Sequence, residues 1–362
     1  LGYSNKLIDN EVVKSIKYGN ITTLNSPEEV KLAEKLIQLH RWAGMVKFAR
    51  TGGEANAIAI RIARSFSGKH KIAFCGYHGW HDWYLAANLN NKKNLDKHLM
   101  TGLGFNGVPH NLKNSIYPFT MNNYDELENI VKKNDIGVIK IEIYRNLKPK
   151  LEFLKKIRKL ANQKNIVLVF DECTSGFRQS YGGIHKIFKV NPDIATFGKS
   201  IGNGYAITAV LGKKEIMQAA NDTFISSTFW TEKIGFVAAY QTLELMHKIK
   251  SWDKITKTGN IIKERWKKLA EKFDLKIDIG GISAIPNFTF PYNDFLKYKT
   301  LILQEMLKNN YLAGNSVYVC IDHNKEVIDK YFDILEKSFK TISECENGRN
   351  IDNLLKGPIT KK

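Results

Sequence analysis

The stretch Thr196-Phe197-Gly198-Lys199-Ser200-Ile201-Gly202-Asn203-Gly204 sets a lysine among glycines behind a short apolar run, and Ile166-Val167-Leu168-Val169-Phe170-Asp171 sets a carboxylate at the end of a strand-like one. A lysine holds an aldehyde as a Schiff base, and a carboxylate keeps a pyridine nitrogen protonated so that the ring can draw in electrons. The pair points to pyridoxal phosphate chemistry. Either residue alone also has a plainer reading, Lys199 as a surface lysine in a turn and Asp171 as the cap of a following helix.

Upstream, Arg50-Thr51-Gly52-Gly53-Glu54-Ala55 opens a segment with Ala55, Ile58, Ala59, Ile62, Ala63 and Phe66 at helical spacing. Glycines there let backbone amides approach a phosphate, and a helix N-terminus favours the anion. The run Ile72-Ala73-Phe74-Cys75 then leads into Gly76-Tyr77-His78-Gly79, which sets an aromatic ring at the carboxyl edge of a strand. Ligands of open α/β sheets bind at that edge.

In order along the chain, Thr51-Gly52-Gly53-Glu54-Ala55, Tyr77-His78-Gly79, Asp171-Glu172-Cys173-Thr174-Ser175-Gly176-Phe177-Arg178, Asp193 to Gly204, and Ser227-Thr228-Phe229 resemble the class III aminotransferases, nearest to the glutamate-1-semialdehyde aminomutase branch. The interval from Asp171 to Lys199 suits that family. The resemblance implies a pyridoxal-phosphate transferase of fold type I: an α/β protein with a mostly parallel, seven-stranded type of sheet covered by helices, and a smaller C-terminal α+β domain. By the same resemblance Lys199 forms the Schiff base and shuttles a proton, and Asp171 contacts the pyridinium. Gly52 and Gly53 hold the phosphate and Tyr77 stacks on the ring, with His78 beside it. Thr228 binds the phosphate of the other subunit across a homodimer interface.

Departures from the family pattern bear on specificity. Relatives usually read Glu-Pro-Val where this chain reads Glu142-Ile143-Tyr144, and many have Val on the ring face where it has Cys173; both positions stay in the cofactor-binding set. After Thr228, Trp230-Thr231-Glu232-Lys233 replaces Gly-Asn-Pro, and Tyr84 to Pro118 gives no clear match to the aminomutase's mobile loop. Leu1-Gly2-Tyr3-Ser4-Asn5 resembles a segment that follows a longer N-terminal stretch in the family, so the family N-terminus is expected to be absent. The resemblance leaves three functions open: amino transfer between two substrates, isomerisation of glutamate-1-semialdehyde to 5-aminolevulinate, or a non-catalytic binding protein on the same fold. The substrates implied are a small amine or amino acid and a keto or aldehyde compound.

The chain has 362 residues, 43% of them apolar, which suits one large and one small domain around a substantial core. Its net charge of +19 raises nucleic-acid binding. However, the lysines are scattered among acids, as with Lys31, Glu34 and Lys35, with no aromatic-interleaved basic block, which favours a solvated basic surface. Cys75, Cys173, Cys320 and Cys345 show no metal or disulfide spacing, and a reducing cytoplasm is the expected home. No apolar run of membrane length occurs. Gly102-Leu103-Gly104-Phe105-Asn106-Gly107 matches a dinucleotide fingerprint without the strand that must precede it. His78 and His81 lack the further ligands of a metal site.

Three segments are expected: an N-terminal helical part over 1–45, a cofactor-binding domain over 46–250 and a small domain over 251–362. Residues 26 to 40 read as a helix capped by Ser26, with Pro27 at its first position and Glu29 completing a capping box. Strands are expected at Lys71 to Cys75, Gly137 to Ile143, Ile166 to Asp171, Asp193 to Phe197 and Ala206 to Leu211, alternating with helices. A helix is expected over Ile234 to Lys248, a strand near Asn287 to Phe290, and a closing helix around Val327 to Phe339. The polar tail after Glu346 is expected to be loosely held.

Overall fold

The computed structural model describes residues 1–98, 102 and 104–360. Two compact units emerge, one of Leu1 and Tyr3–Ile249, the other of Gly2 and Lys250–Lys362. The first begins with α1 (Lys6–Ile16), α2 (Pro27–Leu39), β1 (Met45–Ala49), α3 (Gly52–Ser67) and β2 (Lys71–Cys75). Two single-turn helices, α4 (Asp82–Leu85) and α5 (Ala87–Asn90), precede β3 (Ile116–Pro118), α6 (Tyr124–Lys133), β4 (Ile136–Glu142), α7 (Leu151–Gln163) and β5 (Val167–Asp171). It ends with α8 (His185–Phe188), β6 (Ile194–Phe197), β7 (Thr208–Gly212), α9 (Lys214–Met217) and α10 (Lys233–Ile249).

The strands form one seven-stranded sheet in the order β1-β7-β6-β5-β4-β2-β3, parallel throughout except that β7 runs against both neighbours. Every residue of β4 and β5 is buried, as expected of parallel strands covered on both faces. On one face Ala55, Ala59, Ile62 and Ala63 of α3 pack against Phe74, Val138, Val167 and Val169. On the other, Leu32 and Leu36 of α2 and Phe236 and Leu243 of α10 meet Phe197 and Leu211.

Sheet and helix cover match the sequence expectation, with two strands added. β1 carries Lys47 amid apolar residues and β3 is three residues long with Pro118 at the sheet edge, so neither gives a clear apolar run. Ser26 caps α2 by accepting from the Glu29 amide at 3.3 Å. The full reciprocal capping box occurs instead at α3, where Thr51 accepts from the Glu54 amide and Glu54 accepts from that of Thr51.

The second unit contains α11 (Ser251–Lys272), an antiparallel pair of β8 (Asp278–Gly280) and β9 (Asn287–Thr289), α12 (Phe295–Lys308) and α13 (Lys325–Glu346). Its core centres on Trp266, stacked edge-on to Phe288 at 4.9 Å and donating its indole N–H to the Tyr331 hydroxyl at 3.0 Å. The tail is tied down, contrary to expectation: Ile351 is buried, Lys297 donates to Asp352, and the Thr360 amide donates to Thr300 Oγ1 at 2.9 Å.

Candidate active site

Asp171 ends β5 with its carboxylate almost wholly buried, 2% exposed. A charged group there requires partners. Asn56 Nδ2 donates to Oδ2 at 2.8 Å and the Cys173 amide to Oδ1 at 3.0 Å, while His78 Nδ1 lies 2.9 Å from Oδ2 and Thr196 Oγ1 3.2 Å from Oδ1. Burial alone would raise the carboxyl pKa. The His78 hydrogen bond, the Lys140 charge and the Cys173 amide outweigh it and hold Asp171 well below the usual carboxylate range.

Lys199 follows β6, the strand paired with β5. Its backbone is left-handed, φ 50°, a conformation unfavourable for a side-chain-bearing residue and common where a functional group must be aimed. Its Nζ donates to Thr174 Oγ1 at 2.7 Å. A cleft of about 720 Å³ opens between these groups, and Gly52, Gly53, Tyr77, Glu142, Asp171, Cys173 and Lys199 all line it.

At one end of the cleft lies the N-terminus of α3, whose first amides have no intrahelical acceptor. Those of Glu54 and Ala55 go to Thr51; those of Gly52 and Gly53 meet no acceptor among the described residues. The cleft floor is kept open by glycine, since a Cβ at Gly198 would fall 3.1 Å from Thr208 Cγ2 and 3.5 Å from Cys173 Sγ. At Gly53 it would fall 2.6 Å from the His81 ring. The buried anion, the aimed amine, the free amides and the open floor fit a flat, phosphate-bearing aldehyde with a basic ring nitrogen.

Tyr77 lies at the cleft wall, with the Arg145 guanidinium 5.3 Å from its ring centre and its amide donating to Glu142 Oε2 at 3.0 Å. Burial raises the Glu142 pKa despite Arg145, 3.5 Å away. Burial also raises that of the Cys173 thiol. Two members of the expected set do not reach the cleft. His78 is fully buried behind Asp171, its Nε2 3.2 Å from the Cys75 carbonyl, and burial lowers its pKa to about 4. Thr228 is exposed in the turn Thr228–Thr231 and does not line its own chain's cleft.

Sequence reading missed Asn56, Thr174, Thr196 and Arg50. Asn56 lies one helical turn beyond Gly52, and Thr196 pairs in register with Asp171; only the fold brings them to the carboxylate. The Arg50 guanidinium donates to the carbonyls of Phe229, Trp230 and Glu232 at 2.9, 3.1 and 2.7 Å. It thereby pins the segment that departs from the family pattern beside the cleft. No metal-binding cluster occurs among the described residues, and Leu103 of the glycine fingerprint lies outside them.

The aminotransferase class-III family model matches residues 1–293. A 3-aminobutyryl-CoA aminotransferase of Cloacimonas acidaminovorans is 33% identical over 359 residues, 95% of this chain and 83% of that protein. A glutamate-1-semialdehyde 2,1-aminomutase of Sulfolobus acidocaldarius is 29% identical over 366 residues, 93% of this chain and 85% of that one. Among solved structures, the FumI protein of a Sphingopyxis species, in its PLP form, superposes with a TM-score of 0.86 at 20% identity, over 97% of this chain and 83% of that one. The fold is that of the fold-type-I transaminases.

Proposed function

The chain belongs to the class-III aminotransferases, enzymes that move amino groups with pyridoxal 5'-phosphate, and from that premise we propose that it transfers an amino group between two small molecules, using Lys199 and Asp171. The observation that carries this reading is the Lys199 amine and the locked Asp171 carboxylate lining one cleft. Bound pyridoxal phosphate supplies an aldehyde to carry the amino group and a ring that accepts the electron pair released when the substrate C–H bond breaks.

Every other task falls to the chain. Gly52 and Gly53 offer amides at a helix N-terminus to the phosphate, and Tyr77 holds one face of the ring. Asp171 holds a proton on the ring nitrogen, its ionised state kept by Asn56, His78 and the Cys173 amide. Lys199 Nζ takes the proton from the reacting carbon of the substrate and returns it, and Thr174 steers that amine. Glu142 and Cys173 fill the wall and floor, while His78 acts through Asp171.

Transfer between two molecules, rather than isomerisation within one, is supported by the 3-aminobutyryl-CoA aminotransferase, which matches 95% of this chain at 33% identity where an aminomutase of the same identity matches 83%. The Arg50-pinned Trp230-Thr231-Glu232 segment beside the cleft also marks a pocket different from the family pattern. The intact lysine and carboxylate weigh against a non-catalytic binding protein. All these groups lie within Tyr3–Ile249, so we assign cofactor binding to that unit. We place Thr228 at the phosphate of a second copy: the turn carrying it touches the Thr22 carbonyl through Thr231, and Leu24 and Phe229 nearby are 77% and 67% exposed. Four unpaired thiols support a cytoplasmic setting.

The test presents the reconstituted enzyme with glutamate, alanine or 3-aminobutyrate together with a keto acid, and separately with glutamate-1-semialdehyde alone. Appearance of a new amino acid from the keto acid is expected. Formation of 5-aminolevulinate without any keto acid turning over would establish isomerisation instead.

A further inference from the structure

Lys140 is the one lysine among the described residues with no exposed surface, and its Nζ has no hydrogen-bond partner among them. It lies inside the apolar run of β4, opposite Val169 of β5 and Phe74 of β2. Two positions on, Glu142 stands opposite Asp171. Alternation along the strands puts Lys140, Glu142, Val169 and Asp171 on one face of the sheet. That is the face covered by α3, since Asn56 of α3 bonds Asp171 and Val169 packs in the α3 cluster. An ammonium left unpaired in such a layer is costly, and none of its apolar neighbours needs it.

The groups that share this layer are charged or titratable from three sides. From β5 come Asp171 and Cys173 just beyond it, from β4 itself Glu142, and from the turn after β2 His78; α3 contributes the uncharged Asn56. His78 faces two acceptors, Asp171 Oδ2 at 2.9 Å and the Cys75 carbonyl at 3.2 Å. Such a setting invites a doubly protonated ring, which would neutralise Asp171. A second cation in the same layer opposes that protonation by direct repulsion.

We propose that Lys140 is a positioning residue: its buried ammonium adds to burial in keeping His78 singly protonated and so helps reserve the full negative charge of Asp171 for the ring nitrogen of the cofactor. The lysine acts from behind the site, never touching the ring. The effect on the cofactor rests on the assignment of Asp171 given above; the effect on His78 does not.

The test is a pair of titrations on the cofactor-loaded protein, wild type and Lys140→Met, which keeps the side-chain length and removes the charge. Nitrogen-15 NMR of labelled histidines, with His78 assigned through His78→Gln, reads the imidazole directly. The pH midpoint of the visible cofactor band is the second readout. Lys140→Met is expected to unfold at the same temperature or higher, because an unpaired buried charge is gone. His78 should titrate about one pH unit or more higher, the scale on which a nearby charge moves a pKa, and the midpoint of the band should rise with it.

A folded Lys140→Met protein whose His78 titration is unchanged overturns the proposal. If His78 moves and the band does not, the charge acts on His78 but Asp171 does not face the ring, which contradicts the assignment rather than the Lys140–His78 coupling. Should Lys140→Met not fold, Lys140→Gln, uncharged but polar, carries the same two readouts: a His78 titration moved upward is expected, and an unmoved one overturns the proposal.

Discussion

His40 and His78 are among the histidines of this chain held neutral by burial, and their protonation is coupled to stability. His40, 1% exposed, has its pKa lowered by burial and by nearby His185 to about 3, and His78 is lowered by burial to about 4 although Asp171 opposes the shift. In the unfolded chain both return to the ordinary value near 6.5. Between the two values the unfolded state binds the extra protons, so the stability present above about pH 6.5 is lost as pH falls toward 4 and then 3. Asp171 has the opposite chemistry: its depressed pKa keeps it ionised across that window, and its own contribution is lost only in stronger acid. The thermal midpoint should therefore fall steeply from about pH 6.5 to about pH 4, with a loss on the order of a few kcal/mol. A midpoint level across that range in a thermal-shift titration would mean that neither ring is buried neutral.

At the scale of elements, what the sequence discloses is what is local. β5 reads as a strand because Val, Leu, Val and Phe run unbroken to Asp171, and β4 because Val and Ile dominate it, a pattern that full burial on both faces produces. Met45–Ala49 and Ile116–Pro118 do not, since the outermost strands of the sheet tolerate Lys47 and Pro118. The candidate site divides in the same way. Lys199, Asp171, Gly52, Gly53 and Tyr77 sit in contiguous motifs and were legible as a set. Thr196 matters only because β5 and β6 pair Asp171 with it, and Lys140 only because β4 and β5 pair Glu142 with Asp171. Register is not written in either strand alone. The turn chemistry at α3 was half legible: the glycines announced a helix start, while the Thr51–Glu54 box that locks it went unread.

At the scale of the whole molecule, the proposed dimer makes each cleft depend on the other chain. Thr228→Ala should weaken cofactor affinity about tenfold, the worth of one hydrogen bond to a charged group. Mixing it with Lys199→Ala discriminates the two arrangements. If Thr228 serves the partner, a mixed dimer regains one intact site, with Lys199 from one chain and Thr228 from the other, and at cofactor concentrations too low to load the Thr228→Ala parent its activity rises above either parent. If Thr228 serves its own chain, mixing restores nothing.

The central claim, that this chain moves amino groups through Lys199, is tested most directly by the visible spectrum of the reconstituted protein before and after an amino donor, in the wild type and in Lys199→Ala. The wild type should show a visible cofactor band that the donor bleaches, and Lys199→Ala should show no donor-dependent turnover from one form to the other. An Lys199→Ala protein with the wild-type band and the wild-type response to the donor would contradict the account.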